Sequence, residues 1–140
     1  MEFYEVDADI DAPPPTVWDV LTDGSGYTSW SSGVERLEGS IAAGNRIKVF
    51  SEVSPGRAFP VTVSLDADTH TMTWTGGMPL GLFKGVRTFS VSPRDGGSHF
   101  RMREEFTGPM LKLIWRSMPD LGPSFRTFAD GLKVEAESKP

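Results

Sequence analysis

Arg87 and Glu104 are the two side chains of this sequence best placed to act as a chemical pair. The segments that carry them, 83–92 and 98–107, alternate apolar and polar residues with the period of two that marks a strand with one buried face. Arg94-Asp95-Gly96-Gly97 between them reads as a hairpin turn. A turn that sets Pro93 against Ser98 fixes the whole register: Val91 faces Phe100, Phe89 faces Met102, Arg87 faces Glu104 and Gly85 faces Phe106. One face of the hairpin is then apolar except for one guanidinium and one carboxylate directly opposite each other. Turned toward a cavity of low dielectric, such a pair can orient the polar head of a ligand, or polarise a carbonyl while the carboxylate moves a proton. A pair of this kind can equally do no more than neutralise itself and hold the strand register, and a bulge would move one partner to solvent.

Other chemistries find less support. His70 and His99 lie on different strands, neither stands in an HxxxH or HxE spacing, and Cys is absent, so neither a metal site nor a thiolate nucleophile is expected. None of the serines sits in a GxSxG elbow. Gly76-Gly77 and Gly81 flank Met78-Pro79-Leu80 without the following helix and Lys of a phosphate-binding loop, so residues 76–82 read as a mobile loop at a cavity mouth. No cofactor is called for. His70 and Ser51 are the further polar groups that strand alternation assigns to the inner face.

The elements that must position these residues follow from periodicity. Tyr4, Val6, Ala8 and Ile10 alternate with acidic residues in a strand over about 3–11, ended by Pro13-Pro14-Pro15. Val17, Trp18 and Leu21 recur at helical spacing until Asp23-Gly24-Ser25-Gly26, and a second short turn carries Tyr27 and Trp30. Strands are predicted near 34–39, 46–54, 59–66, 69–76, 83–92 and 98–107. Within 69–76 the threonines face solvent while His70, Met72, Trp74 and Gly76 face inward. From Pro109 onward Leu111, Trp115 and Met118, then Phe125, Phe128, Ala129 and Leu132, keep one amphipathic helical face, with a kink or break expected at Pro119 and Gly122-Pro123.

A chain of 140 residues suits one domain, 1–140, large enough for a core with a pocket in it. Fourteen Lys and Arg against 19 Asp and Glu leave a net charge of −5, which argues against nucleic acid and anionic headgroups as partners. No stretch reaches the roughly 20 apolar residues of a membrane span, and the acidic start is unlike a secretory signal, so the expected location is the cytoplasm.

The order of strand, short helices, six-strand meander and C-terminal helix resembles the START-like (SRPBCC) superfamily, in particular its polyketide cyclase/dehydrase and lipid-transport branch. Ile10-Asp11-Ala12-Pro13 with Val17-Trp18 looks like that family's strand-to-helix passage, and Tyr27-Thr28-Ser29-Trp30 like the short helix closing one end of its cavity. Gly85-Val86-Arg87-Thr88-Phe89, Gly96-Gly97 and Glu104-Glu105-Phe106-Thr107-Gly108 resemble its last hairpin, and Leu132-Lys133 with Glu135 or Glu137 the end of its gripping helix. The resemblance implies an α+β helix-grip fold: a curved antiparallel sheet around a long C-terminal helix, with two short helices between strands one and two. It also implies an internal cavity, whose contents the fold leaves open. The candidate ligand-binding residues are Trp30, Met72, Trp74, Phe83, Arg87, Phe89, Met102, Glu104, Trp115, Met118 and Phe125, because small-molecule sites are mostly apolar with few polar groups and Met adapts to varied ligands. The expected function is binding or carriage of a small hydrophobic molecule, a lipid, polyketide or other aromatic metabolite, by a monomer or weak homodimer. The alternative is a cyclase or dehydratase that uses Arg87 and Glu104.

Overall fold

In a computed structural model describing residues 1–140, β1 (Glu2–Ile10) leads into α1 (Pro14–Thr22) and a 3-10 turn (Gly24–Ser29). Six strands follow: β2 (Val34–Glu38), β3 (Arg46–Ser51), β4 (Ala58–Asp66), β5 (Thr71–Gly77), β6 (Lys84–Arg94) and β7 (Gly97–Thr107). Two helices complete the fold, α2 (Leu111–Trp115) and α3 (Gly122–Glu137). Each strand from β2 to β7 pairs antiparallel with the next, and β1 returns to pair with β7, giving the order β1-β7-β6-β5-β4-β3-β2. The sheet curls around α3 in the helix-grip arrangement.

The β6–β7 register is the one the turn chemistry dictates: Pro93 pairs with Ser98, Arg87 with Glu104 and Gly85 with Phe106. Asp95 (φ 49°) and Gly96 (φ 82°) both adopt the left-handed conformation of a two-residue turn whose twist matches that of the strands.

Several boundaries differ from the expected ones for local reasons. β3 stops at Ser51 and not at 54, because Ser51 draws the chain into a turn: its carbonyl accepts from the Ser54 amide (3.1 Å) and its Oγ from the Val53 amide (3.3 Å). β5 starts at Thr71, two residues late, because Asp66 Oδ1 accepts from the amides of Asp68 (2.9 Å) and Thr69 (3.3 Å) and His70 takes a left-handed φ of 53°. The C-terminal amphipathic stretch is divided into two helices. Pro119 offers no amide to continue α2, and Asp120 Oδ1 accepts from the Gly122 amide (2.9 Å) just before α3 begins.

α3 buries Phe125, Phe128, Ala129, Leu132 and Ala136, spaced as one helical face, against the concave side of the sheet and against Val17 and Leu21 of α1. Burial of each large side chain of this set contributes about 1.5–3 kcal/mol. Gly131 is required by the closeness of the packing, since a Cβ there would stand 2.0 Å from the Ser31 carbonyl oxygen. The far end of α3 is fastened to β1: Lys133 Nζ donates to the Asp9 carbonyl (2.8 Å), and Glu137 Oε2 accepts from Lys133 Nζ (2.7 Å) and the Asp11 amide (2.8 Å).

Candidate functional site

Where α3 lies low on the sheet the interior is closed, and where the chain leaves β7 through α2 and the 116–121 connection it opens. The difference is set by successive cross-strand rows on the concave face. In one row Met72, Phe89 and Met102 are direct neighbours on β5, β6 and β7, and their side chains fill the space below Phe128 completely. The next row is Trp74, Arg87 and Glu104, continued by Tyr4 on β1. The row after that begins with Gly76 opposite Gly85. Two facing glycines leave that part of the sheet without side chains, and a cavity of about 670 Å³ lies above it.

Its walls are Val49, Ser51 and Val53 from β3 and the following turn, Pro60 and Val61 from β4, Phe83 just before β6, Phe106 near the end of β7, and Ile114, Met118, Leu121 and Phe125 from the helical side. Arg57, Phe59 and Met78 stand at the exposed mouth, where Arg57 lies 5.3 Å over the Phe59 ring.

The only charged groups of the lining besides Arg57 are Arg87 and Glu104. Arg87 Nε donates to Glu104 Oε1 at 2.7 Å, with the two side chains 24% and 16% exposed. The guanidinium plane is held 4.7 Å over the Phe125 ring of α3, a contact that keeps a cation in a fixed orientation at little desolvation cost. Glu104 leans the other way, over Gly85: a Cβ at 85 would lie 2.6 Å from Glu104 Oε2. The glycine is therefore the seat of the carboxylate as well as part of the cavity floor.

Six of the sequence-predicted residues line this cavity: Trp74, Phe83, Arg87, Glu104, Met118 and Phe125. Five do not. Met72, Phe89 and Met102 share the correct face but belong to the closed row, and are sealed in the core. Trp30 packs edge-on against Tyr27 (5.4 Å) and Phe128 (5.4 Å) and is not part of the cavity lining. Trp115 lies outside the cavity wall, on Tyr4 (5.5 Å) and Phe106 (5.4 Å). Of the two extra polar groups assigned to the inner face, Ser51 lines the cavity. His70 does not: its left-handed turn places the imidazole on Trp18 (5.3 Å), at the other end of the sheet.

The glycine pair Gly76 and Gly85 went unread. Alternation puts Gly76 on the inner face and the hairpin register sets Gly85 against Phe106, but it is the separate β5–β6 register that brings the two glycines together, and the hairpin does not reveal it. Tyr27 is a second omission. Its ring is fully buried, its hydroxyl donates to the Leu21 carbonyl, and burial pushes its phenol pKa upward, so it backs the core as a neutral group.

No group of three or more His, Cys, Asp or Glu side chains converges as a metal would require, and no helix is long and apolar enough to cross a membrane.

The fold is shared by solved structures at low sequence identity. The Zhui aromatase/cyclase of Streptomyces sp. R1128 superposes with a TM-score of 0.73 at 15% identity, over 97% of this chain and 93% of that one. Truncated norcoclaurine synthase of Thalictrum flavum gives 0.71 at 17%, over 99% and 95%. A START superfamily protein of Mycobacterium smegmatis gives 0.69 at 17%, over 96% and 97%. At such identities the likeness is one of fold, and no protein of curated function matches the sequence significantly. The family model described as polyketide cyclase / dehydrase and lipid transport matches residues 2–137, and on that match the chain belongs to that family.

Proposed function

We propose that the protein binds a small, largely apolar molecule in the cavity between its sheet and α3, with the Arg87–Glu104 pair as the polar anchor. The observation that carries this reading is the cavity: about 670 Å³, lined mainly by aliphatic and aromatic side chains, with one ion pair set in its floor. Small-molecule sites typically span about 300–1,000 Å³ and combine apolar walls with a few placed polar groups. Family membership supports the same reading, since the family's description covers both cyclases and lipid carriers.

The test is direct. The uncharged dye N-phenyl-1-naphthylamine should bind the native protein with a blue-shifted emission, and native mass spectrometry of protein taken from cells should reveal a noncovalent adduct of a few hundred daltons. Native protein that binds no dye and carries no adduct would remove the basis of the reading.

A cyclase or dehydratase is the second reading, and it is favoured by the same ion pair. A carbonyl polarised by Arg87 beside a proton-accepting carboxylate is the arrangement that enolisation and water loss need. The two readings part at the variant Arg87→Met with Glu104→Leu. A carrier forms no product in either protein and loses only part of its ligand affinity in the variant, whereas an enzyme turns its ligand over as wild type and loses that product formation in the variant.

A further inference from the structure

The ion pair in the cavity floor is only half used by the protein itself. Arg87 spends Nε on Glu104 Oε1, and neither its two Nη groups nor Glu104 Oε2 has a hydrogen-bond partner in the chain. No sealed side-chain nitrogen or oxygen anywhere in the protein lacks a partner, so these three atoms are open, and both residues line the cavity. Stacking on Phe125 fixes where the Nη donors point, and the missing side chain at Gly85 fixes where Oε2 lies.

From this we infer that the cavity selects an uncharged ligand head bearing a carbonyl and a hydroxyl along one edge, and rejects carboxylates. The carbonyl accepts from Arg87 Nη and the hydroxyl donates to Glu104 Oε2. The inference rests on the reading of the cavity as a ligand site, and it narrows the ligand class within it. Its physical basis is charge balance. Arg87 and Glu104 already neutralise each other, so a carboxylate entering the apolar cavity would bring a third charge with no free counter-charge, while a neutral donor–acceptor edge satisfies all the open atoms. The one other cation of the lining, Arg57, is exposed at the mouth and cannot compensate a charge at the floor.

A matched bicyclic series tests it by displacement of N-phenyl-1-naphthylamine at pH 7: 7-hydroxy-1-tetralone, 1-tetralone, tetralin and 1,2,3,4-tetrahydro-1-naphthoate. The hydroxyketone should bind about tenfold or more tightly than the carboxylate, the equivalent of one well-made hydrogen bond. Glu104→Gln, which keeps the shape and leaves Arg87 uncompensated, should raise carboxylate affinity by about tenfold or more. The wild-type order alone already decides the matter if the variant fails to fold. Dye binding with equal or absent displacement by hydroxyketone and carboxylate overturns the inference and leaves the cavity reading intact. So does a carboxylate that binds best and is lost in Arg57→Gln, since its head would then sit at the mouth. Failure of the dye to bind at all defeats the underlying reading instead.

Discussion

Replacing Arg87 by Met removes the only side chain that pairs with Glu104 and leaves a carboxylate seated over Gly85 near the Phe106 ring. Breaking a fully buried ion pair from one side costs about 3–5 kcal/mol. Here the partners are 24% and 16% exposed, so the stranded carboxylate can draw some solvation through the cavity. We therefore expect Arg87→Met to lose about 1–3 kcal/mol. Glu104→Leu should lose about 1–2 kcal/mol, because the guanidinium keeps its place over Phe125 while its Nε–H goes unpaired. The double variant replaces both charges by apolar groups of similar volume and should lie within about 1 kcal/mol of the wild type. With the double variant near neutral, the coupling energy of the cycle is about 2–5 kcal/mol in favour of the pair. Urea unfolding, with slopes checked for equality, measures it. A thermal melt gives the same order, each kcal/mol moving Tm by about 2–4 °C for a chain of this size. A double variant as unstable as the sum of the two singles would refute the reasoning, for it would mean that the two side chains act independently.

Two glycines should respond to the same added methyl group to different extents. Gly131→Ala drives a Cβ to 2.0 Å from the backbone oxygen of Ser31, a group that cannot step aside, and should cost about 3 kcal/mol or more, read by urea unfolding. Gly85→Ala crowds only the free end of the Glu104 side chain (2.6 Å) and meets the Phe106 ring at ordinary contact distance (3.4 Å), so it should cost less than Gly131→Ala, about 1–2 kcal/mol, while displacing the carboxylate and altering ligand selection in the dye assay. Trp74 is the one tryptophan among the cavity-lining residues, so Trp74→Phe should abolish any ligand-induced quenching of tryptophan emission without abolishing binding measured by calorimetry. The Glu137 carboxyl is held below its ordinary value of 4.5 by hydrogen bonds from Lys133 and the Asp11 amide, against the opposing effect of burial. A depressed folded-state pKa contributes stability that is present above 4.5 and is lost as pH falls through the lower folded value. Glu137→Gln should therefore flatten the acid limb of a stability-against-pH curve below pH 4.5 and lower stability at pH 7; an unchanged acid limb would show that the α3–β1 fastening is not coupled to its charge.

Much of this molecule was legible in its residues taken in order. The seven strands, the turn at Asp95-Gly96 and the register that opposes Arg87 to Glu104 depend on local rules: alternation chooses the face, and a two-residue turn chooses the partner. The break in the C-terminal helical stretch was announced by Pro119 and by Gly122-Pro123. β3 ends earlier and β5 starts later than hydrophobic alternation suggests, because the Ser51 and Asp66 side chains accept hydrogen bonds from nearby backbone amides and hold the chain out of the sheet.

The candidate site was legible only by face and not by row. A period of two says that Met72 and Trp74, or Phe89 and Arg87, point to the same side of the sheet, but α3 covers one row and the α2–α3 connection spans the next. That vertical placement depends on contacts between residues far apart in the chain, such as Gly131 against Ser31 and Lys133 against the Asp9 carbonyl, and no local pattern encodes them. The same reason explains Trp30 and Trp115, whose helical and loop positions fit a pocket wall but whose rings turn to Phe128 and to Tyr4. The sequence by itself determined which residues share the concave face, which charges oppose each other and where the glycines interrupt the lining. Only the tertiary structure decided how far α3 reaches along that face, and therefore which of those residues close a core and which border an open cavity.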